Sequence, residues 1–369
     1  MKQVQPWLVA ASLSATPLVA DDLGSPIGAS HLLTPGTATG QVVGNSTIVS
    51  LNDNTVIEWD SFTLPQGSDL QFNFTNPADT VVNRVTGTGV TLVGGTIESN
   101  GNVVLLSPNS WLLFRPSARV VAGSFTASGL NAEATQFFNG GSNLEFEATP
   151  NSNPTTVIRG EITSTSGDVI LVGRELQVVG DIKSAGNVVA VTGDEVAIDR
   201  NAPQNAVTDG GSQIIQGGVI DAGADIAFVS QNAMSMTGQM TANDGRGRAF
   251  FRVDDGGNIL TGAAGLTVRA GSAEFSVEPN GEVAFIGPVE GEFTGGISPA
   301  LNEFPSLSSN RSARRTVPTS STVTARAGTG FTKEDEKKAK RRSRAVAENV
   351  APVRKRSFFR TRTTVTPKR

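Results

Sequence analysis

The side chains of this sequence that could perform acid–base chemistry are three pairs of acidic residues: Asp194 with Glu195, Asp221 with Asp225, and Asp254 with Asp255. Glycoside hydrolysis needs two carboxyl groups held roughly 5 to 10 Å apart across a cleft. Each pair lies in a turn-like stretch, however, and acidic residues are also common solvated turn formers. A carbohydrate-active lyase or hydrolase site near Asp221 and Asp225 is therefore the minor alternative, and we predict that the chain is not an enzyme.

The remaining inventory of reactive side chains is small. In 369 residues there is no cysteine, no tyrosine and a single histidine, His31. The lack of cysteine excludes disulfides, thiolate zinc sites and cysteine nucleophiles, and one histidine gives little scope for general acid–base or metal chemistry. No P-loop, HExxH, EF-hand or calcium-binding nonapeptide motif is present. We therefore predict no catalytic residue, no metal site and no cofactor.

A recurring phrase consists of a glycine, an alternating residue pair, a polar turn and an apolar run. The spacings between its copies are 65, 20, 38 and 20 residues, close to multiples of 20. Such a period indicates that the chain is built from stacked units. The copies begin at Gly95 (GTIESNGNVVLLS), Gly160 (GEITSTSGDVILVG), Gly180 (GDIKSAGNVVAVTG), Gly218 (GVIDAGADIAFVS) and, in degenerate form, Gly238 (GQMTANDGRGRAFF).

These units must position any functional side chain, and they predict an all-β fold. A unit of about 20 residues holds two or three short strands and cannot bury its own apolar side, whereas stacked units can. The nearly continuous apolar runs suit strands in the wall of a parallel β-helix, a single-stranded solenoid. A β-sandwich needs no shared motif at this period, and the leucine-rich-repeat pattern is absent. Polar residues before each run fit turns where their side chains bond local backbone groups: Asn100, Asn102, Asp168, Asn187 and Asp225.

The chain divides into several segments. Residues 1–20 look like a signal peptide cut after Ala20, and 21–40 follow as a short leader. Residues 41–135 hold irregular strands and the large aromatics Trp59 and Trp111, which is typical of a cap with the first coils. Residues 136–305 carry the later repeats. No later stretch of about 18 apolar residues predicts a membrane-spanning helix.

Residues 35 to 135 resemble the haemagglutination-activity domain of filamentous haemagglutinin-type exoproteins, the two-partner secretion domain. The resemblance lies in IEWDSF at Ile57–Phe62, VVNRVTG at Val81–Gly87, GTIESNGNVVLLSPNS at Gly95–Ser110 and FRPSARVVAGSFTAS at Phe114–Ser128. It implies a right-handed β-helix, export by a signal peptide, and delivery through an outer-membrane transporter barrel that recognises the N-terminal domain.

The resemblance also implies residues for recognition by that secretion partner. The family's Asn-Pro-Asn-Gly-type turn corresponds here to Ser107, Pro108, Asn109 and Ser110, which keeps the central Pro-Asn. Asn83 and Arg84 lie in the other retained motif. A purely structural role remains open beside this one, since Asn109 is an ordinary turn former and Asn83 suits a turn or ladder position. Trp59 is expected to pack in the core.

A strong charge asymmetry marks the C-terminal tail. Residues 1 to 306 hold 12 Lys and Arg against 30 Asp and Glu, whereas residues 307 to 369 hold 18 against 4. From residue 306 we predict a disordered basic tail with a short helix over 333–348. Its last stretch could bind anionic glycan or an anionic surface, although a solvated tail is the simpler interpretation. The candidate binding residues are Arg354, Lys355, Arg356, Arg360 and Arg362.

Taken together, these features predict an exported, surface-associated or secreted β-helical protein that acts in adhesion or surface interaction. Its expected partners are the outer-membrane transporter and host or neighbouring-cell glycans or an anionic surface. Nucleic acid is not expected as a partner, because binding to nucleic acid is hard to reconcile with export of the protein. A surface-binding module anchored by the basic tail is the third alternative.

Overall fold

The computed structural model describes residues 31–33, 38–150, 152, 154–255, 257–277, 282–285 and 289–298. These residues all belong to Met1–Val323, the first of two units into which the chain divides. The predicted signal peptide, most of the leader, the helix at 333–348 and the basic tail lie outside the described residues. The first strand among the described residues starts at His31, ahead of the domain boundary predicted at residue 41.

Short strands make up almost all of the described chain. Up to residue 158 they are β1 His31–Leu33, β2 Ala38–Val43, β3 Ser46–Leu51, β4 Thr55–Trp59, β5 Thr63–Leu64, β6 Asp69–Phe74, β7 Thr80–Val85, β8 Thr91–Val93, β9 Thr96–Ser99, β10 Asn102–Leu106, β11 Leu112–Phe114, β12 Arg119–Ala122, β13 Phe125–Ser128, β14 Asn143–Glu147 and β15 Thr155–Ile158. Beyond it they are β16 Glu161–Ser164, β17 Val169–Gly173, β18 Glu175–Val178, β19 Ile182–Ser184, β20 Val188–Thr192, β21 Glu195–Asp199, β22 Val207–Asp209, β23 Gln213–Gln216, β24 Val219–Ala222, β25 Ile226–Ser230, β26 Ala233–Ala242, β27 Arg248–Val253, β28 Asn258–Val277, β29 Glu282–Phe285 and β30 Val289–Ser298. Short 3-10 helices span Ala134–Gly140, Pro203–Asn205 and Asn243–Gly245.

Parallel pairing winds these strands into a solenoid with three walls. Wall A consists of β3, β6, β9, β12, β16, β19 and β24. Wall B consists of β4, β7, β10, β13, β17, β20, β25 and β27. Wall C consists of β5, β8, β11, β15, β18 and β23. The long strands β26, β28 and β30 continue across more than one wall. The predicted parallel β-helix is confirmed.

The solenoid interior is one continuous apolar core. It runs from Val49 in the first coil to Phe275 near the last described coils. Equivalent inward positions of successive coils stack, as in wall B, where Phe228 lies 6.0 Å from Phe251 and Phe251 lies 4.8 Å from Phe275 between ring centroids. Each coil therefore buries its apolar side against the next, as the repeat predicts.

The polar turn residues join coils rather than closing turns within them. Asp168 Oδ1 accepts from the backbone N–H of Asn187 at 2.8 Å, and Asn187 Oδ1 accepts from that of Asp225 at 3.1 Å. Asp225 Oδ1 in turn accepts from the N–H of Arg248 at 2.8 Å. The expectation that these side chains bond local backbone groups is wrong for the three oxygens named, because each accepts from a donor one coil further on.

The long repeat spacings contain insertions. Gly180 and Gly218 begin adjacent coils, since Ile182 pairs directly with Ile220. Their 38-residue spacing is therefore one coil plus an insertion, and reading it as two 20-residue units is wrong. Both insertions leave the solenoid between wall B and wall C, after β13 and after β20, and they contain β14, β21 and β22.

The inserted segments cover wall B. β14, β21 and β22 form a separate three-stranded antiparallel sheet. Its inward residues Leu144, Phe146, Val196 and Ile198 pack against the outward side chains of wall B in a second apolar cluster. This outer layer was not predicted from the sequence.

At the N-terminal end, antiparallel strands close the solenoid. β1 pairs with β4, and β2 pairs with β3 as a hairpin. Trp59 is fully buried and packs edge-on against Phe62 at 5.3 Å, so the expected core role is confirmed. Trp111 is 51% exposed and does not fill a capping core.

Candidate functional site

The turn at Ser107–Ser110 lies between β10 and β11, at a corner from wall B to wall C. Ser107 is buried, with its Oγ 2.8 Å from Thr91 Oγ1 in the preceding coil. Asn109 donates from Nδ2 to the Thr86 carbonyl at 2.7 Å. Pro108 is buried, whereas Asn109 and Ser110 are partly exposed. The turn is thus tied to the neighbouring coil and still presents its second half to solvent.

Asn83, the second recognition candidate, is buried. Its Oδ1 accepts from Trp59 Nε1 at 3.1 Å, and its Nδ2 donates to the Val104 carbonyl at 3.2 Å. These bonds link β4, β7 and β10, three successive strands of wall B. A partner could therefore touch this amide only in a chain that has not yet folded.

Arg84 anchors the outer layer. Its guanidinium lies 3.5 Å from Glu58 Oε1 and donates from Nη2 to the Ala132 carbonyl at 2.8 Å. Ala132 belongs to the first insertion, so Arg84 fastens that segment to wall B. The structure does not place Arg84 in the Ser107–Ser110 turn, and no side-chain bond joins the two.

The exposed surface beside the turn is apolar. Val90 and Trp111, each 51% exposed, lie immediately before β8 and β11 and are neighbours, because Thr91 pairs with Leu112. Sequence reasoning missed this surface. The alternation of β11 places Leu113 on the outward side and, continued to the residue before the strand, places Trp111 there too, but alternation alone does not tell whether another segment covers them.

One member of each acidic pair that could have been catalytic forms an ion pair with an arginine. Asp194 forms an ion pair with Arg174, and Asp254 pairs with Arg252 at 3.0 Å. Among the described residues, no group of His, Cys, Asp or Glu side chains is arranged to hold a metal ion.

Asp221 and Asp225 do not share a cleft. Asp225 receives two bonds from the Arg248 guanidinium, at 2.8 and 3.0 Å, and borders a shallow cavity with about 400 Å³ of open space. Asp221 does not line that cavity; it lies on β24 of wall A, in register with Lys183. This geometry gives no support to a carboxylate pair acting together at these two positions.

Two further parts of the prediction concern the chain ends. His31 is the first residue of β1, opposite Trp59 in the antiparallel pair. The tail candidates Arg354, Lys355, Arg356, Arg360 and Arg362 lie outside the described residues.

None of the helices in the described part of the chain has the length and apolar character needed to span a bilayer.

Most of the described chain matches a known protein family. Residues 28–272 match the family model described as the TPS secretion domain. The match begins before β1 and ends within β28, so it includes both the Ser107–Ser110 turn and the outer layer.

Two solved secretion domains are similar to this chain. The crystal structure of the HMW1 secretion domain from Haemophilus influenzae has a TM-score of 0.53 and 21% identity, covering 78% of this chain and 83% of that one. The filamentous hemagglutinin secretion domain has a TM-score of 0.44 and 16% identity, covering 77% of this chain and 98% of that one. The HMW1 domain supports the fold.

One curated relative is similar over a shorter stretch. The heme/hemopexin-binding protein of Haemophilus influenzae is 31% identical over 94 residues, which is 25% of this chain. The match covers only 10% of that relative.

Proposed function

Because this chain belongs to the family of TPS secretion domains, we propose that its β-helix is the part of an exported protein that an outer-membrane transporter recognises. Membership implies a partner transporter in two-partner secretion and export to the cell surface or the extracellular space. The observation that carries the proposal is the family match over residues 28–272, which includes most of the described solenoid.

Recognition is proposed at the Ser107–Ser110 turn. Only the first copy of the repeated phrase runs on into Ser-Pro-Asn-Ser, so this turn differs from every later corner of the solenoid. Asn109 and Ser110 are its partly exposed members. Asn83 and Arg84 contribute to recognition in the unfolded chain, since Asn83 is buried once the coils have stacked.

Replacing Asn109 by alanine tests this proposal. We expect Asn109→Ala to lower the secreted fraction several-fold when the chain is co-expressed with its transporter, and to accumulate in the periplasm. The measurement is the ratio of extracellular to periplasmic protein by immunoblot. The change removes one hydrogen bond to the preceding coil, which costs only about 0.5–1.5 kcal/mol of folding free energy.

The matched control is Asn187→Ala, which removes a comparable bond between coils at a later repeat. It should be secreted like the unmodified chain. Equal secretion of both variants, or an equal loss in both, would show that the transporter does not recognise this turn specifically.

The exported protein is further proposed to act in adhesion or surface interaction, without catalysis. The support is chemical, because the acidic residues that could form a glycosidase site do not act together. Asp194 and Asp254 form ion pairs with arginines, and Asp221 lies on wall A, away from Asp225. Binding of purified protein to host or neighbouring cells tests the proposal. A chain that binds neither, or that cleaves polysaccharide, would contradict it.

A further inference from the structure

The outer faces of the three walls differ in chemistry. Wall B is covered by the inserted segments. Wall A presents charged and polar side chains, among them Arg119, Glu161 and Lys183. Wall C near the N-terminal end presents apolar side chains, and none of the described segments covers them.

The exposed part of wall C is a strip of four residues, Val90, Leu92, Trp111 and Leu113, which we call the apolar strip. Val90 and Trp111 are half exposed, and Leu92 and Leu113 are partly exposed and directly paired. Outward positions on a strand are spaced by about 6.6 Å, and adjacent strands by about 4.8 Å. The strip is therefore two strands wide, and it lies apart from the residues that line the cavities.

The two ends of the strip differ in chemistry, one being aromatic and the other cationic. Trp111 presents its ring at one end, and Arg115 follows at the other end with its side chain over Gly94. Arg115 is exposed and forms no ion pair with any described residue. An arginine placed over a tryptophan ring is a favourable cation–π pair.

This arrangement is self-complementary. A two-fold axis that runs across the strands through Leu92 and Leu113 would pair each leucine with its own copy. The same axis would bring Arg115 of one copy over the Trp111 ring of the other. Such isologous matching is what a two-fold interface requires, and two sheets packed face to face stand about 10 Å apart, a gap that leucine and tryptophan side chains fill.

We propose that the apolar strip is the contact surface for a second copy of this chain. Stable complexes bury about 800 Å² on each partner, and four side chains provide less, so the dimer is weak and depends on concentration.

Sedimentation velocity over a concentration series tests the proposal. The unmodified chain should shift from monomer to dimer as its concentration rises, and Trp111→Glu should remain monomeric at every concentration. Val90→Glu should behave in the same way, and both positions are exposed enough to accept glutamate without unfolding. The matched control is Val219→Glu, at a 45% exposed valine on wall A, which should dimerise normally.

Crosslinking tests the arrangement itself. The chain has no cysteine, so Leu113→Cys introduces a single thiol, and a short bismaleimide should capture it as a homodimer. Thr163→Cys on wall A should not be captured.

Three outcomes would overturn the proposal. One is a monomeric unmodified chain throughout the series, and another is a dimer that Trp111→Glu leaves intact. The third is a monomer that floats with phosphatidylethanolamine–phosphatidylglycerol vesicles and shifts its tryptophan emission, which would assign the strip to a lipid surface.

Discussion

At the scale of single residues, Asn83 joins three successive coils through its amide. Its oxygen accepts from the indole of Trp59 and its nitrogen donates to the carbonyl of Val104, all in the buried interior of wall B. The family resemblance points to Asn83 as a recognition residue, whereas the structure gives it a clear packing role. Its effect on secretion has to be separated from its effect on stability.

Asn83→Ala should lower the free energy of unfolding by about 1–3 kcal/mol, because two buried hydrogen bonds worth about 0.5–1.5 kcal/mol each are lost. Urea unfolding followed by tryptophan fluorescence measures this change. Asn73→Ala is the control, at an exposed asparagine of wall A, and it should change stability by less than about 0.5 kcal/mol. An Asn83→Ala chain as stable as the control would contradict the packing role.

At the scale of the repeat element, the glycine that opens each phrase has a steric reason. A Cβ on Gly180 would collide with the carbonyl of Gly160, and one on Gly218 with the carbonyl of Gly180. The next copy continues the column, since a Cβ on Gly238 would meet the carbonyl of Gly218. The backbones of successive coils approach too closely at this corner for any side chain.

Gly218→Ala should therefore destabilise the solenoid by about 1–3 kcal/mol through overpacking. Thermal unfolding by circular dichroism measures it. Gly89→Ala provides the control, because a Cβ there meets nothing within 4 Å. If both variants melt together with the unmodified chain, the coils tolerate more separation at this corner than the structure indicates.

At the scale of the whole molecule, charge separates the chain into an acidic body and a basic tail. The net charge of residues 1 to 306 is −18 and that of residues 307 to 369 is +14. Surface retention through the tail remains a prediction, and it carries a definite salt dependence, because attraction between exposed charges is screened as ionic strength rises.

Removing residues 307–369 should abolish retention of the protein on a heparin resin, and the unmodified chain should elute as salt increases. Replacing only the final cluster by glutamine should cause most of this loss; that cluster consists of Arg354, Lys355, Arg356, Arg360 and Arg362. Replacing Arg311, Arg314 and Arg315 by glutamine should cause a smaller loss. Retention of the truncated chain would contradict a tail anchor.

Sequence by itself determined the architecture of this protein. Glycines that recur with an apolar run and a polar turn require stacked coils, because no single unit can bury its own strands. The composition left few side chains for acid–base, thiol or metal chemistry, since it has no cysteine, no tyrosine and one histidine. The motifs around Trp59, Asn83 and Asn109 predicted the family. Burial of Trp59 followed from the same reasoning.

Only the tertiary structure decided what covers each outer face. The 38-residue spacing between Gly180 and Gly218 equals two units in length, so its insertion cannot be distinguished from a second coil by counting. Alternation assigns Leu144 to one side of β14 and, continued to the residue before β11, assigns Trp111 to the outward side of wall C. Whether a side is covered depends on segments far away in sequence, and so Leu144 is buried against wall B whereas Trp111 is left exposed on wall C.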